Sequence, residues 1–175
     1  MTAPETPAGP LLIALLARLD ALPAQDPSET AQAPRTVPLA VLDTNAVLDV
    51  WYWHDAKAAD LACALEAGEI TWVSSPSCIK ELAAVLARPA FGLGEDGAEA
   101  LLEKLLSRVA LVSPRQEHLV RCRDRDDEKF LTLAFEVRAD FLFTKDKKVL
   151  KAGRRLKAAG TKTMRPEDFV RAHAS

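Results

Sequence analysis

The sequence predicts an α/β sandwich around a mostly parallel sheet. Three observations carry that prediction. Short apolar runs of strand length recur along the chain and stop at polar or acidic residues. Longer segments with apolar residues at helical spacing alternate with those runs. The chain is 175 residues long, 49% hydrophobic and 27% charged, which is the profile of one globular domain of ordinary size plus a short appendage.

The elements follow in order. Residues 1–10 are rich in Pro and Ala. Pro10 to Leu22 reads as an amphipathic helix, opened near Pro10 and closed by Pro23. Residues 23–38 hold Pro23, Pro27, Pro34 and Pro38 among small polar residues and read as a linker. Residues 1–38 are therefore expected to be an N-terminal extension, and 39–175 the compact domain. Leu39–Leu42 is a buried strand that stops at Asp43. Asp55–Ala67 is a helix with Gly68 as its stop, and Ile70–Val73 is the second strand. Ser75 or Ser77 caps a helix that runs to Ala87, with Pro89 beyond it. Gly94–Val109 is a helix, Ala110–Val112 a third strand, and Asp126–Arg138 a helix. Phe141–Phe143 is a fourth strand and Thr161–Met164 a fifth, followed by a last helix from about Pro166. There is no internal repeat and no Gly-rich phosphate loop.

Composition narrows the function classes. No stretch reaches the roughly 20 apolar residues that span a bilayer. The run Leu11–Leu22 contains Arg18 and Asp20 and follows no basic residue, unlike a signal peptide. Three cysteines, Cys63, Cys78 and Cys122, match no zinc spacing and are too few for a disulfide scaffold, so a cytoplasmic setting is expected. The net charge is −2, but it is unevenly spread. Residues 145–165 hold nine Lys or Arg against one acid, while residues 41–144 hold 11 basic and 18 acidic residues. An acidic body with a basic segment can still hold a polyanion locally.

The acids fall where an α/β fold places its chemistry, beyond the carboxyl ends of the strands. Asp43 and Asn45 end the first strand. Glu81 lies in the helix after the second. Asp124, Asp126 and Asp127 open the helix before the fourth strand, and Asp146 follows that strand. Each has an ordinary reading: Asp43 as a turn or cap residue, Glu81 as a solvated helix residue, Asp126 or Asp127 as an N-cap, Asp146 as a cap. Together they suggest one cluster, and clustered carboxylates repel one another. A hard divalent cation, Mg²⁺ or Mn²⁺, resolves the repulsion with oxygen ligands and can activate water for phosphodiester attack.

The motifs resemble those of PIN domains, metal-dependent ribonucleases. Val41-Leu42-Asp43-Thr44-Asn45 is similar to the opening strand. Glu81-Leu82, in a helix ending Leu86-Ala87-Arg88-Pro89-Ala90-Phe91, resembles the second-acid segment of a subgroup described as toxins of toxin–antitoxin pairs. Cys122-Arg123-Asp124-Arg125-Asp126-Asp127-Glu128-Lys129-Phe130-Leu131 and Ala139-Asp140-Phe141-Leu142-Phe143-Thr144-Lys145-Asp146 resemble its third- and fourth-acid segments. The match covers about residues 39–150. It implies a flavodoxin-like three-layer α/β/α sandwich, with Asp43, Glu81, Asp127 and Asp146 as the catalytic, metal-holding acids. Asp127 is preferred over Asp126 because it lies seven residues before Ala134, the spacing usual in the family. Asp124 and Asp126 stand as auxiliary ligands, and Asn45 and Thr144 as residues that hold the acids through hydrogen bonds. The resemblance implies an RNA substrate, an antitoxin partner and, with the apolar leading helix as a contact, a homodimer. Two features depart from the family: Lys145 stands where the subgroup often has Gly, and residues 1–38 lie outside the pattern.

Basic residues beside the fourth acid, Lys145, Lys148, Arg154 and Arg155, are expected to track RNA phosphates. Of the adjacent Trp51, Tyr52 and Trp53, at least one is expected at the surface. His54 and the cysteines read as structural, and His118 and His173 carry no recognisable motif. The function expected is a Mg²⁺- or Mn²⁺-dependent endoribonuclease, with a catalytically inactive binding or assembly module as the alternative. A receiver-like domain or an Asp-x-Asp phosphatase fits less well, since Asp43-Thr44-Asn45 lacks the second Asp.

Overall fold

The computed structural model describes residues 10–171. It holds five strands, β1 (Leu39–Leu42), β2 (Thr71–Ser74), β3 (Ala110–Leu111), β4 (Phe141–Phe143) and β5 (Lys162–Met164). Its helices are α1 (Pro10–Ala21), α2 (Pro27–Gln32), α3 (Thr44–Trp51), α4 (Ala59–Glu66), α5 (Pro76–Leu86), α6 (Gly94–Leu106), α7 (Glu128–Glu136) and α8 (Lys147–Gly153). The sheet order is β3-β2-β1-β4-β5 and every pairing is parallel.

Alternation along the strands sorts the core into two faces. Ala40, Leu42, Trp72 and Phe143 face a cluster built from α1, α3, α4, α5 and α6. Leu39, Val41, Val73 and Leu142 face the other cluster, with Phe130, Leu131, Leu133 and Ala134 of α7 and Val149 and Ala152 of α8. This is the expected three-layer sandwich.

Three parts differ from the sequence reading. Thr44–Trp51 is a helix, not a turn, because the Asp43 carboxylate caps its first turn and Val47, Leu48 and Val50 bury its apolar face. Residues 23–38 are more than a linker. Asp26 caps α2, and Gln25 extends the sheet edge by pairing in parallel with Val112. The last helix expected from Pro166 is, among the described residues, a single turn at Pro166–Asp168. Residues 169–171 are not helical, and residues 172–175, His173 among them, lie outside the described residues.

The leading helix also behaves differently from expectation. Leu15 and Leu19 are buried between α1 and the helices α5 and α6. The face offered as a dimer contact is thus spent on the chain's own core, with Ile13 and Leu22 left exposed.

Gly153 closes α8 against β5, where its carbonyl accepts from the Thr163 hydroxyl at 3.3 Å. A methyl there would overlap the Thr163 side chain. Gly153→Ala is expected to destabilise the protein by about 1–3 kcal/mol through overpacking. A denaturation midpoint equal to wild type would refute this close approach.

Candidate active site

Chain order and sheet order together place the site. The chain builds β1, β2 and β3 outward, then returns to the far side of β1 with β4 and β5. The order therefore reverses at β1, and a crevice opens at the carboxyl ends of β1 and β4. Asp43 follows β1, Asp146 follows β4, and α5, which carries Glu81, follows β2.

Asp43 is 6% exposed. Its Oδ1 accepts from the Ala46 amide at 2.8 Å, and its Oδ2 accepts from the Thr144 hydroxyl. Burial pushes its pKa up to about 6, against the pull of those two donors, and Glu81 and Asp146 push it in the same direction. Asp127, half-buried at the start of α7, is also raised to about 6. Burial is the main cause, followed by the fields of Asp124, Asp146, Glu81 and Asp43. Glu81, Asp124 and Asp146 therefore lie close enough to Asp43 or Asp127 to act on them at this sheet edge.

Thr144 is fully buried and links two of them. It donates to Asp43 and accepts from the Asp146 amide at 3.1 Å. Asp146 caps α8 by accepting from the Lys148 amide at 2.6 Å. Its cap role and its place in the cleft coexist. Glu81 accepts from the Thr44 hydroxyl at 2.9 Å through one oxygen and pairs with the Lys129 ammonium through the other.

The remaining expected residues are placed differently. Asp124 caps the turn before α7 and lies 3.6 Å from Lys148 Nζ. Asp126 is exposed, and its carbonyl accepts from Lys129 at 2.8 Å. Asn45 is exposed on the first turn of α3. Lys145 does not point free toward a ligand. Its ammonium bonds buried Asp49 at 2.8 Å and lies 5.7 Å from the Trp53 ring centre. Its backbone does not need positive φ, since among the described non-glycine residues only His54 and Arg138 have it. A Lys is therefore accommodated where Gly was expected.

The aromatic run divides as expected. Trp51 is buried against Trp72, and Trp53 is half exposed beside Phe91. His118 is structural: it shares the buried Glu128 carboxylate with the Cys122 amide, which ties the 113–124 loop to α7. Cys78 is buried, and that burial raises its thiol to about 11, so it is inert.

Lys129, Thr44 and Glu128 escaped the sequence reading. Four carboxylates in one crevice call for a cation, and Lys129 is on hand.

The donor set is oxygen only, which suits a hard divalent ion. Among the described residues, however, no three acidic, histidine or cysteine side chains are gathered closely enough to hold one as they stand. The family model of the PIN domain matches residues 39–148.

The chain belongs to the PIN domain family.

PIN domains are generally nucleases and typically use divalent metal ions. One chain of the crystal structure of VapBC2 from Rickettsia felis, bound to a DNA fragment from their promoter, is similar to this PIN domain. The TM-score is 0.51 at 17% identity, covering 71% of this chain and 98% of that one. At that identity the likeness is one of fold. A comparison with curated proteins finds no match. Among the described residues no helix is long and apolar enough to cross a membrane.

Proposed function

We propose that this PIN domain is a metal-dependent endoribonuclease, the toxin of a toxin–antitoxin pair, working in the cytoplasm. Residues 39–175 form the nuclease domain, and 1–38 an extension whose described part packs on it. The observation that carries the reading is the cleft itself. Asp43, Glu81, Asp127 and Asp146 come from four separate segments near the switch point of the sheet, and burial with the fields of neighbouring acids raises Asp43 and Asp127 to about pKa 6, which supports the reading.

A divalent ion, Mg²⁺ or Mn²⁺, would be held by those four acids and would supply both water activation and charge neutralisation in phosphodiester hydrolysis. The chain's own residues set the stage. Thr144 orients Asp43 and fixes the Asp146 loop, Thr44 orients Glu81, and Asp124 adds negative charge at the mouth of the cleft. The antitoxin reading is supported by the fold neighbour, which is a chain of a toxin–antitoxin complex.

The test is incubation of purified protein with single-stranded RNA, with Mn²⁺ or with chelator, beside Asp146→Asn. Metal-dependent cleavage by wild type, lost in the variant, is expected. Equal cleavage in every preparation would expose a contaminant, and none in any would favour an inactive binding module.

Beside Asp146, Lys148, Arg154 and Arg155 are exposed on α8 and the turn after it. Arg155 donates to the Arg121 carbonyl at 3.0 Å, which fixes it on that surface. Charge reversal at the three positions is expected to weaken RNA binding and to reduce the salt slope by about one for each phosphate no longer neutralised. Filter binding across a salt series checks this. An unchanged slope would remove these residues from the RNA path.

A further inference from the structure

We propose that Lys129 is a built-in cation of the acid cleft, holding Glu81 until a divalent ion displaces its ammonium. The inference deepens the nuclease reading and rests on it.

Both oxygens of Glu81 are already engaged, one by the Thr44 hydroxyl and the other by the Lys129 ammonium. An ion that takes Glu81 as a ligand must break one of these bonds. The Thr44 hydroxyl is fixed on the first turn of α3, whereas Lys129 ends a flexible four-carbon stem.

Lys129 is not a surface lysine that happens to pass nearby. Its side chain is 15% exposed, its ammonium donates to the Asp126 carbonyl at 2.8 Å, and it lies 5.2 Å from the Phe130 ring centre. That cage holds the charge between Glu81 and the turn that carries Asp127. The nearby bases are committed elsewhere: Lys148 to Asp124, Arg121 to Glu128 and Lys145 to Asp49. Of the four acids expected to hold metal, Glu81 is the one Lys129 neutralises, so an ion that takes Glu81 must compete with the ammonium for its ligand.

Mn²⁺ affinity, measured by calorimetry at pH 7.5 without RNA, tests this independently of cleavage. Lys129→Met is expected to bind Mn²⁺ about tenfold tighter than wild type, and Lys129→Arg close to wild type. In a Glu81→Gln background, Lys129→Met should give no gain over Glu81→Gln alone, because the gain requires Glu81 as the released ligand. Circular dichroism checks folding, and Lys129→Gln replaces the Met variant if that one misfolds.

Unchanged or weaker affinity in Lys129→Met would overturn the proposal while leaving the nuclease reading intact. So would a gain that persists without the Glu81 carboxylate, since a long-range field would then explain it. Absence of Mn²⁺ binding in every protein would overturn the metal reading itself, and this proposal with it.

Discussion

Asp43→Asn is expected to abolish metal-dependent RNA cleavage and at the same time raise the thermal stability of the metal-free protein at pH 7.5. The two effects have one cause. Asp43 is 6% exposed and its pKa stands at about 6 instead of 3.8. The native state therefore holds this proton more tightly than the unfolded chain does. The contribution of Asp43 to stability is fully present below about pH 3.8. It falls as the pH rises through the window to about 6 and stays low above it. At neutral pH the buried charge costs on the order of 3 kcal/mol. Asparagine removes the charge and keeps an acceptor for the Ala46 amide. The carboxylate's bond from Thr144 is weakened, which costs about 1 kcal/mol and leaves a net gain of about 2 kcal/mol. Asp127 has the same direction of shift, so the variant should retain part of the pH slope between about 4 and 6. Melting curves across that range, with and without Mn²⁺, check the claim. Added Mn²⁺ should stabilise wild type strongly and the variant weakly. A variant less stable than wild type at pH 7.5 would refute the buried-charge account, and one that cleaves RNA normally would end the role of Asp43.

The second large effect is expected at Thr144. Thr144→Val keeps the shape of a fully buried side chain but removes the hydroxyl that donates to Asp43 and accepts from the Asp146 amide. One variant thus strips a donor from a buried carboxylate and a partner from a main-chain N–H. Leaving such groups unsatisfied costs about 1–3 kcal/mol. The substitution should also loosen the link between the ends of β1 and β4 on which the cleft depends. A 10–100-fold drop in cleavage is expected, the usual scale for residues that orient ligands. The Thr144 bond pulls the Asp43 pKa down, so the variant should also titrate Asp43 at higher pH. Thr144→Ser should restore both stability and activity. If Thr144→Val matched wild type in melting and in cleavage, the hydroxyl bridge would be irrelevant.

Much of this protein was readable from the chain. Asp43 and Asp146 could be placed because a parallel strand buried on both faces ends abruptly where its apolar run ends, and the next polar residue must stand at the sheet edge. α5 and α7 could be placed because their apolar spacing spans enough turns to be unambiguous. The helix Thr44–Trp51 was harder. It begins at once after β1 without a loop, and the run Trp51-Tyr52-Trp53 hides its end. Residues 27–32 were hidden by prolines that, at Pro27, open a helix instead of preventing one.

The chain alone determined which residues end strands, where the longer helices α5, α6 and α7 lie and which acids precede or follow each element, because these are local matters of apolar period and capping. Only the tertiary structure decided that β1 lies between β2 and β4, that Leu15 and Leu19 of α1 fill the chain's own core, that Lys145 turns to Asp49, and that Lys129 enters the acid cleft. Strand order is set by pairing between segments far apart in sequence, and a long polar side chain takes whichever opposite charge the fold leaves within reach. Neither choice leaves a mark in the local pattern of residues.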